Sequence, residues 1–168
     1  LPPHRAPVSN LAAYNSVILG FHIWGASAPP VIRSFLASQE AKAKGFDEAL
    51  LTDMRGYVAE GPGANVFFEK NGVLYTPPAG NILTGITRAT VMELCREMNI
   101  PVEEKLFTTD ELKQADAAFY CGTAAEVIGW QSIDEVVFPV KWSDSISRRI
   151  QLAYKDLVIE KIVEDVPR

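Results

Sequence analysis

The amino-acid sequence predicts an α+β fold in which mixed sheets carry packed helices. Short strand-like runs alternate with turn signals such as Asn71-Gly72, a pair that favours a tight hairpin. Residues 87–98 instead repeat their apolar side chains at helical spacing. The chain has 168 residues, of which 48% are hydrophobic, and a domain of this size buries about 70% of its unfolded surface. We therefore expect a single substantial core.

The first predicted elements are one helix and three strands. Residues 39–44 have helix-forming composition and are followed by Gly45, which suits the left-handed position after a helix. Strands are predicted for residues 49–52, 65–69 and 73–76, which are separated by turn signals. This arrangement predicts an antiparallel sheet.

A second group of elements follows. In residues 87–98 the apolar positions have the spacing of an amphipathic helix, and Pro101 marks its end. Thr108 and Glu111 have the spacing of a capping box, which predicts a helix over residues 109–115. The remaining elements are predicted strands over residues 102–107 and 117–121 and a final helix over residues 144–161.

The composition argues against several classes of function. A formal net charge of −5 disfavours nucleic-acid partners, because binding to phosphates needs a clustered positive face. Cys95 and Cys121 lie in apolar stretches and are interpreted as small buried side chains of a protein from a reducing compartment. His4 and His22 lack metal-ligand spacing, so no metal site is expected. No apolar run is long enough to span a bilayer, and we expect a cytoplasmic protein without a membrane partner.

The N-terminal residues differ from the rest of the chain. Residues 1–33 contain five prolines but no lysine and no acidic residue, so a regular surface helix is hard to place there. We therefore divide the chain into an aberrant or disordered N-terminal segment, residues 1–34, and a folded domain, residues 35–168. A frame shift in the coding sequence would explain the abrupt change, and a genuine fragment is the alternative.

Three segments have the composition of a ligand site. Glu60 precedes Gly-Pro-Gly, so its carboxylate lies beside backbone free of side-chain bulk; a solvated glutamate at an ordinary turn is the alternative. Ile86 and Thr87 open a helix, where backbone N–H groups bind anions, although Thr87 also suits a plain N-cap. Thr123 follows an apolar strand, at a corner that either holds an anion with its N–H groups or simply ends the strand.

Taken in order, these segments resemble a known family. Residues 36–138 include Leu36-Ala37-Ser38-Gln39-Glu40-Ala41, Glu60-Gly61-Pro62-Gly63-Ala64-Asn65, Gly85-Ile86-Thr87-Arg88 and Gly122-Thr123-Ala124-Ala125-Glu126. This stretch is similar to the branched-chain aminotransferases, which are class IV aminotransferases of fold type IV. The resemblance implies the large domain of such an enzyme, with pyridoxal 5'-phosphate as cofactor, in a homodimer that serves branched-chain amino acid biosynthesis. It implies transamination of leucine, isoleucine or valine with 2-oxoglutarate, so the partners are a small-molecule amino acid and a 2-oxo acid.

The resemblance also implies roles for individual residues. The implied cofactor-binding residues are Glu60, Asn65, Ile86, Thr87 and Thr123, and the implied substrate-binding residues are Thr123 and Ala124. Glu60 would pair with the pyridine nitrogen of the cofactor and keep it protonated, so that the ring withdraws electrons. Asn65 would brace the loop that carries Glu60.

This chain departs from the family pattern at the position of the lysine. The Schiff-base lysine that holds the cofactor falls on Ala26, and the tyrosine that follows it falls on Val31. A second alignment puts Ser9 at the lysine position, and no lysine precedes Lys42. No catalytic residue is therefore assigned, and a catalytically inactive fragment or pseudoenzyme with residual cofactor binding is one alternative function. A D-amino-acid transaminase or an aminodeoxychorismate lyase is the other.

Overall fold

The structure, a computed structural model, describes residues 17–22 and 30–164. These residues form two β-sheets packed face to face, with helices on the outer surface of each sheet. The predicted α+β class with mixed sheets and packed helices is confirmed. None of the described helices combines the length and the apolar composition that crossing a bilayer requires.

All predicted helices and strands correspond to observed elements, although their ends differ. The strands are β1 Val17–His22, β2 Glu48–Thr52, β3 Glu60–Gly61, β4 Ala64–Lys70, β5 Val73–Thr76, β6 Val102–Glu104, β7 Ala117–Gly122, β8 Glu126–Trp130, β9 Ser132–Ile133 and β10 Val136–Val137. The helices are α1 Pro30–Ala43, α2 Ile86–Glu97, α3 Thr109–Leu112 and α4 Ile146–Glu164. The predicted capping box is present at α3, where Thr108 and Glu111 bond reciprocally.

The larger sheet has the strand order β6-β5-β4-β7-β8, with β3 paired to β4. β4 and β7 are antiparallel, and Phe67 and Phe119 lie opposite each other with ring centroids 5.0 Å apart. β5 and β6 are parallel. Because α2 lies between these two strands in the sequence, the chain crosses back before β6 begins, which is the connection that parallel strands need.

The central strand β4 of the larger sheet is buried on both faces. Val66 and Phe68 of β4 belong to the cluster between the two sheets, whereas Phe67 belongs to the cluster under α2 and α4. The second cluster also contains Val91 and Cys95, which belong to the apolar stripe predicted for α2. A strand buried on both faces needs apolar residues at consecutive positions, and this explains the unbroken apolar run in β4.

The smaller sheet has the strand order β10-β9-β1-β2. β1 is parallel to both β2 and β9. The predicted antiparallel arrangement therefore holds for β4 and β5 but is wrong for β2, which belongs to this second sheet. Ala41 of α1 and Ala49 of β2 share a third cluster, so α1 covers this sheet.

The predicted aberrant segment, residues 1–34, lies mostly outside the described residues and stays a prediction there. Two regular elements nevertheless begin within it, β1 and the first turn of α1. A regular surface helix was expected to be hard to place in residues 1–33, but α1 begins at Pro30. Proline is accepted in the first turn of a helix because its missing N–H group has no partner there.

The ring of Trp142 lies against the backbone of β8 at Gly129. A Cβ atom built on Gly129 would be 2.4 Å from ring atoms of Trp142. Nε1 of Trp142 donates to Oε1 of Gln151 over 3.2 Å, and Nε2 of Gln151 donates to the carbonyl of Val127 over 2.6 Å. Because Gly129 has no side chain, Trp142 can pack against β8. Its hydrogen bond to Gln151 then holds the first turns of α4 next to this strand.

We expect Gly129→Ala to lower the free energy of unfolding by about 1–3 kcal/mol, because the added methyl group overpacks the contact with Trp142. Denaturant unfolding measures this change. Gly80→Ala is the matched control, since a Cβ atom there meets no atom within 4 Å. Unchanged stability of Gly129→Ala would show that Trp142 does not hold α4 against β8.

Candidate functional site

A cavity lies at one end of the larger sheet, where three segments meet. Its volume is about 210 Å³, below the roughly 300–1,000 Å³ of pockets that enclose drug-sized ligands. The lining consists of residues 60–65 at the β3–β4 turn, residues 83–87 at the start of α2 and residues 121–123 at the end of β7.

Glu60 contributes a half-buried carboxylate to this cavity. Its Oε2 atom accepts hydrogen bonds from Nδ2 of Asn65 over 3.2 Å and from the backbone N–H of Leu83 over 3.3 Å. Desolvation raises the pKa of Glu60, and the hydrogen bond from Leu83 acts in the opposite direction. A carboxylate in such a position favours a cationic partner, which would offset its desolvation.

Asn65 connects two walls of the cavity. Its Nδ2 atom also donates to the carbonyl of Leu83 over 2.8 Å, so one amide group contacts both Glu60 and the segment before α2. A Cβ atom built on Gly85 would lie 2.6 Å from Oδ1 of Asn65. The residue before α2 must therefore be a glycine for Asn65 to keep this position.

The start of α2 faces the cavity without a side-chain cap. Gly85 is the N-cap residue, and no side chain bonds to the first turn there. The alternative in which Thr87 is the N-cap is wrong, because Thr87 lies inside the helix and is buried. Uncapped N–H groups and the helix dipole make such an end attractive to anions.

The end of β7 closes the third side. Gly122 approaches the β3–β4 turn so closely that a Cβ atom on it would lie 2.8 Å from the carbonyl oxygen of Gly63. Thr123 follows as an exposed residue of the lining. Ala124 does not line this cavity but a neighbouring one of about 210 Å³, which shares residues 61–64 and adds Glu48 and Tyr120.

The five residues predicted to bind a cofactor, Glu60, Asn65, Ile86, Thr87 and Thr123, all line the same cavity. Sequence reasoning missed Leu83, whose backbone contacts Glu60 and Asn65, because backbone hydrogen bonds leave no signal in a sequence pattern. Ala26 and Ser9, the two positions matched to a lysine, lie outside the described residues.

The two cysteines are free and buried, as predicted. Burial raises the pKa of Cys95 to about 12. Burial also raises the pKa of Cys121 to about 12, while the nearby guanidinium of Arg88 acts in the opposite direction. Thiols with such pKa values are inert at neutral pH. Within the described residues, no group of three His, Cys, Asp or Glu side chains is arranged to hold a metal ion.

Comparison with known proteins identifies one family. The model of the family described as amino-transferase class IV matches residues 27–133. The branched-chain-amino-acid aminotransferase of Pseudomonas aeruginosa is 45% identical over 130 residues, which cover 77% of this chain and 42% of that protein. This chain therefore spans less than half the length of that relative.

Solved structures give a similar result. The branched-chain aminotransferase of Thermoproteus uzoniensis with norvaline has a TM-score of 0.80 and 36% identity, over 90% of this chain and 53% of that one. The branched-chain amino acid aminotransferase of Thermobaculum terrenum in its PLP form has a TM-score of 0.81 and 35% identity, over 92% of this chain and 54% of that one. The fold of this chain is therefore similar to the matching part of both structures.

The raised pKa of Glu60 predicts a pH-dependent stability difference. In the ligand-free protein, the folded state binds the Glu60 proton more tightly than the unfolded state, whose pKa is near the ordinary 4.5. Stability relative to Glu60→Gln should therefore fall as pH rises above 4.5. Denaturant unfolding of both proteins across this range measures the difference. Glu93→Gln, on the exposed face of α2, controls for the lost charge. The expectation would be contradicted if the wild type became more stable than Glu60→Gln as the pH rises.

Proposed function

The chain belongs to the class IV aminotransferases, and from this membership we propose that its cavity binds pyridoxal 5'-phosphate for the transamination of branched-chain L-amino acids. One observation carries the proposal. The Glu60 carboxylate and the uncapped start of α2 line a single cavity, so it offers a partner for a cationic ring nitrogen and a separate partner for a phosphate group.

The residues present fit this cofactor. A pyridinium nitrogen would offset the desolvation that raises the pKa of Glu60. The N–H groups of Ile86 and Thr87 would hold the phosphate, and the hydroxyl of Thr123 would add a hydrogen bond from the opposite side. The absent side chain of Gly122 lets the end of β7, which leads to Thr123, lie directly against the turn at Gly63.

When bound, pyridoxal phosphate supplies an aldehyde for the substrate amine and a conjugated cationic ring that withdraws electrons from the substrate Cα atom. Glu60 holds a proton on the ring nitrogen, which maintains that electron withdrawal. Asn65 orients the Glu60 carboxylate with a hydrogen bond of 3.2 Å. The backbone N–H groups of Thr123 and Ala124 bind the substrate carboxylate beside the cofactor.

The substrate assignment follows the relatives. The similar proteins described above are branched-chain aminotransferases, and this supports leucine, isoleucine and valine as amino donors. 2-Oxoglutarate as acceptor, a homodimer and a cytoplasmic location are part of the same proposal. The proposal also includes the division of the chain into an N-terminal segment, residues 1–34, and a cofactor-binding domain, residues 35–168. The family match itself begins at residue 27.

A second candidate function is cofactor binding without turnover. It is favoured by the sequence itself, because Ala26 and Val31 stand at the positions matched to the lysine and the tyrosine, and no lysine precedes Lys42. The Glu60, Asn65 and α2 contacts do not depend on that lysine. Non-covalent binding of the cofactor is therefore expected in either case.

Titration with pyridoxal phosphate tests the cavity assignment, with quenching of tryptophan fluorescence as the measure of binding. We expect saturable binding and an affinity about tenfold weaker in Glu60→Gln, the effect of losing one charge-assisted hydrogen bond. Glu93→Gln should bind like the wild type. Absence of saturable binding in the wild-type chain, or equal affinity in Glu60→Gln, would contradict the proposal.

The two candidate functions differ in turnover and in covalent chemistry. Transamination predicts glutamate formation from L-leucine and 2-oxoglutarate, and borohydride reduction followed by mass spectrometry should then find a pyridoxyl adduct on a lysine. The inactive alternative predicts binding with neither result. Turnover of D-alanine without leucine would instead favour a D-amino-acid transaminase, and turnover of aminodeoxychorismate would favour the corresponding lyase.

A further inference from the structure

Arg88 is the third residue of α2 and follows directly after Thr87. It is only 5% exposed, and with Glu69 it is one of two charged residues buried in the described part of the chain. Removing a charged group from water is costly, and an apolar side chain of similar size often stabilises a protein more. The burial of an arginine at this position therefore points to a role beyond holding the helix to the sheet.

The guanidinium of Arg88 contacts the ends of two strands. Its Nη2 atom donates to the carbonyl of Pro77 over 3.0 Å and also bonds to the carboxylate of Glu104. Its Nε atom donates to Oγ1 of Thr76 over 3.4 Å. Thr76 and Glu104 are register partners in the parallel pair of β5 and β6. The three acceptors thus fix the start of α2 at the carboxyl end of that pair.

The same network extends to the wall of the cavity. The hydroxyl of Thr76 donates to the carbonyl of Val66 over 2.9 Å, and Val66 directly follows Asn65 in β4. The positive charge of Arg88 also acts to lower the pKa of Cys121, which lines the cavity. Through Thr76, the hydrogen bonds of Arg88 therefore reach the strand that carries Asn65.

We propose that Arg88 is a positioning residue that fixes the N–H groups of Ile86 and Thr87 for a phosphate group. This inference rests on the proposed function. The planar guanidinium donates from two of its nitrogens to three acceptors, which defines both the height and the rotation of the first helical turn. A lysine keeps the charge but is a single flexible donor, so it leaves the turn free to shift.

The test compares pyridoxamine 5'-phosphate with pyridoxamine, two amines that differ only in the phosphate group, by calorimetric titration of the full chain. The wild type should prefer the phosphorylated compound. Arg88→Lys should lower that preference about tenfold, the effect of losing one charge-assisted hydrogen bond to the phosphate, while pyridoxamine affinity stays unchanged. Arg96→Lys, an exposed position on the same helix, should retain the full preference.

An unchanged preference in Arg88→Lys would overturn the inference, as would an equal loss of affinity for both compounds, because that indicates general damage. A wild type without any preference for the phosphorylated compound would overturn the proposed function as well. The binding data for the wild type therefore test the proposed function, and the comparison with Arg88→Lys tests the role of Arg88.

Glu104→Ala provides a second variant that leaves Arg88 intact. If the guanidinium acted through charge alone, removing its anionic partner would strengthen phosphate binding. The positioning role instead predicts a weaker preference for the phosphorylated compound, because Nη2 of Arg88 loses its hydrogen bond to the Glu104 carboxylate. Glu103→Ala removes a neighbouring exposed carboxylate and controls for net charge. Stronger phosphate binding in Glu104→Ala than in Glu103→Ala would overturn the inference.

Discussion

Strand β4 is buried on both faces, and its pairing with β3, β5 and β7 sets the positions of the residues around the cavity. Because its side chains alternate between two apolar clusters, a shift of one residue would exchange Phe67 with Phe68 and expel both from their clusters. That register also places Asn65 opposite Glu60 in β3 and opposite Cys121 in β7. Hydrophobic packing of the sheet thus determines which polar atoms meet at its end.

The cavity and the position matched to the covalent lysine come from different parts of the chain. The cavity is made by β3, β4, β7 and the start of α2, whereas the lysine position falls in the sequence between β1 and α1. In the proposed function, recognition of the ring and phosphate would therefore be separable from covalent attachment of the cofactor. A protein with the first property and without the second is physically coherent, since the described hydrogen bonds of Glu60 and Asn65 are made with residues 60–83.

The sequence predicts the elements whose patterns are local. The apolar stripe of α2 and the capping box at Thr108 depend on neighbouring residues, so both were found at their observed places. β1 has no comparable local signal, since its short apolar run lies in the proline-rich residues 1–33. The five predicted cofactor-binding residues are identified only through the order of the family motifs, since Glu60 and Thr87 taken singly fit ordinary turns and caps. The contacts of Leu83 and Arg88 depend on tertiary geometry and have no local signal.

The contact between Gly85 and Asn65 also constrains how this protein can change by mutation. A larger residue at position 85 collides with Oδ1 of Asn65, and a smaller residue at position 65 removes a hydrogen bond from Glu60. Substitutions at the two positions should be strongly non-additive. Either order of substitution passes through an impaired intermediate, in one case a displaced asparagine and in the other an unbraced carboxylate. Positions 65 and 85 are therefore expected to covary across descendants of this sequence.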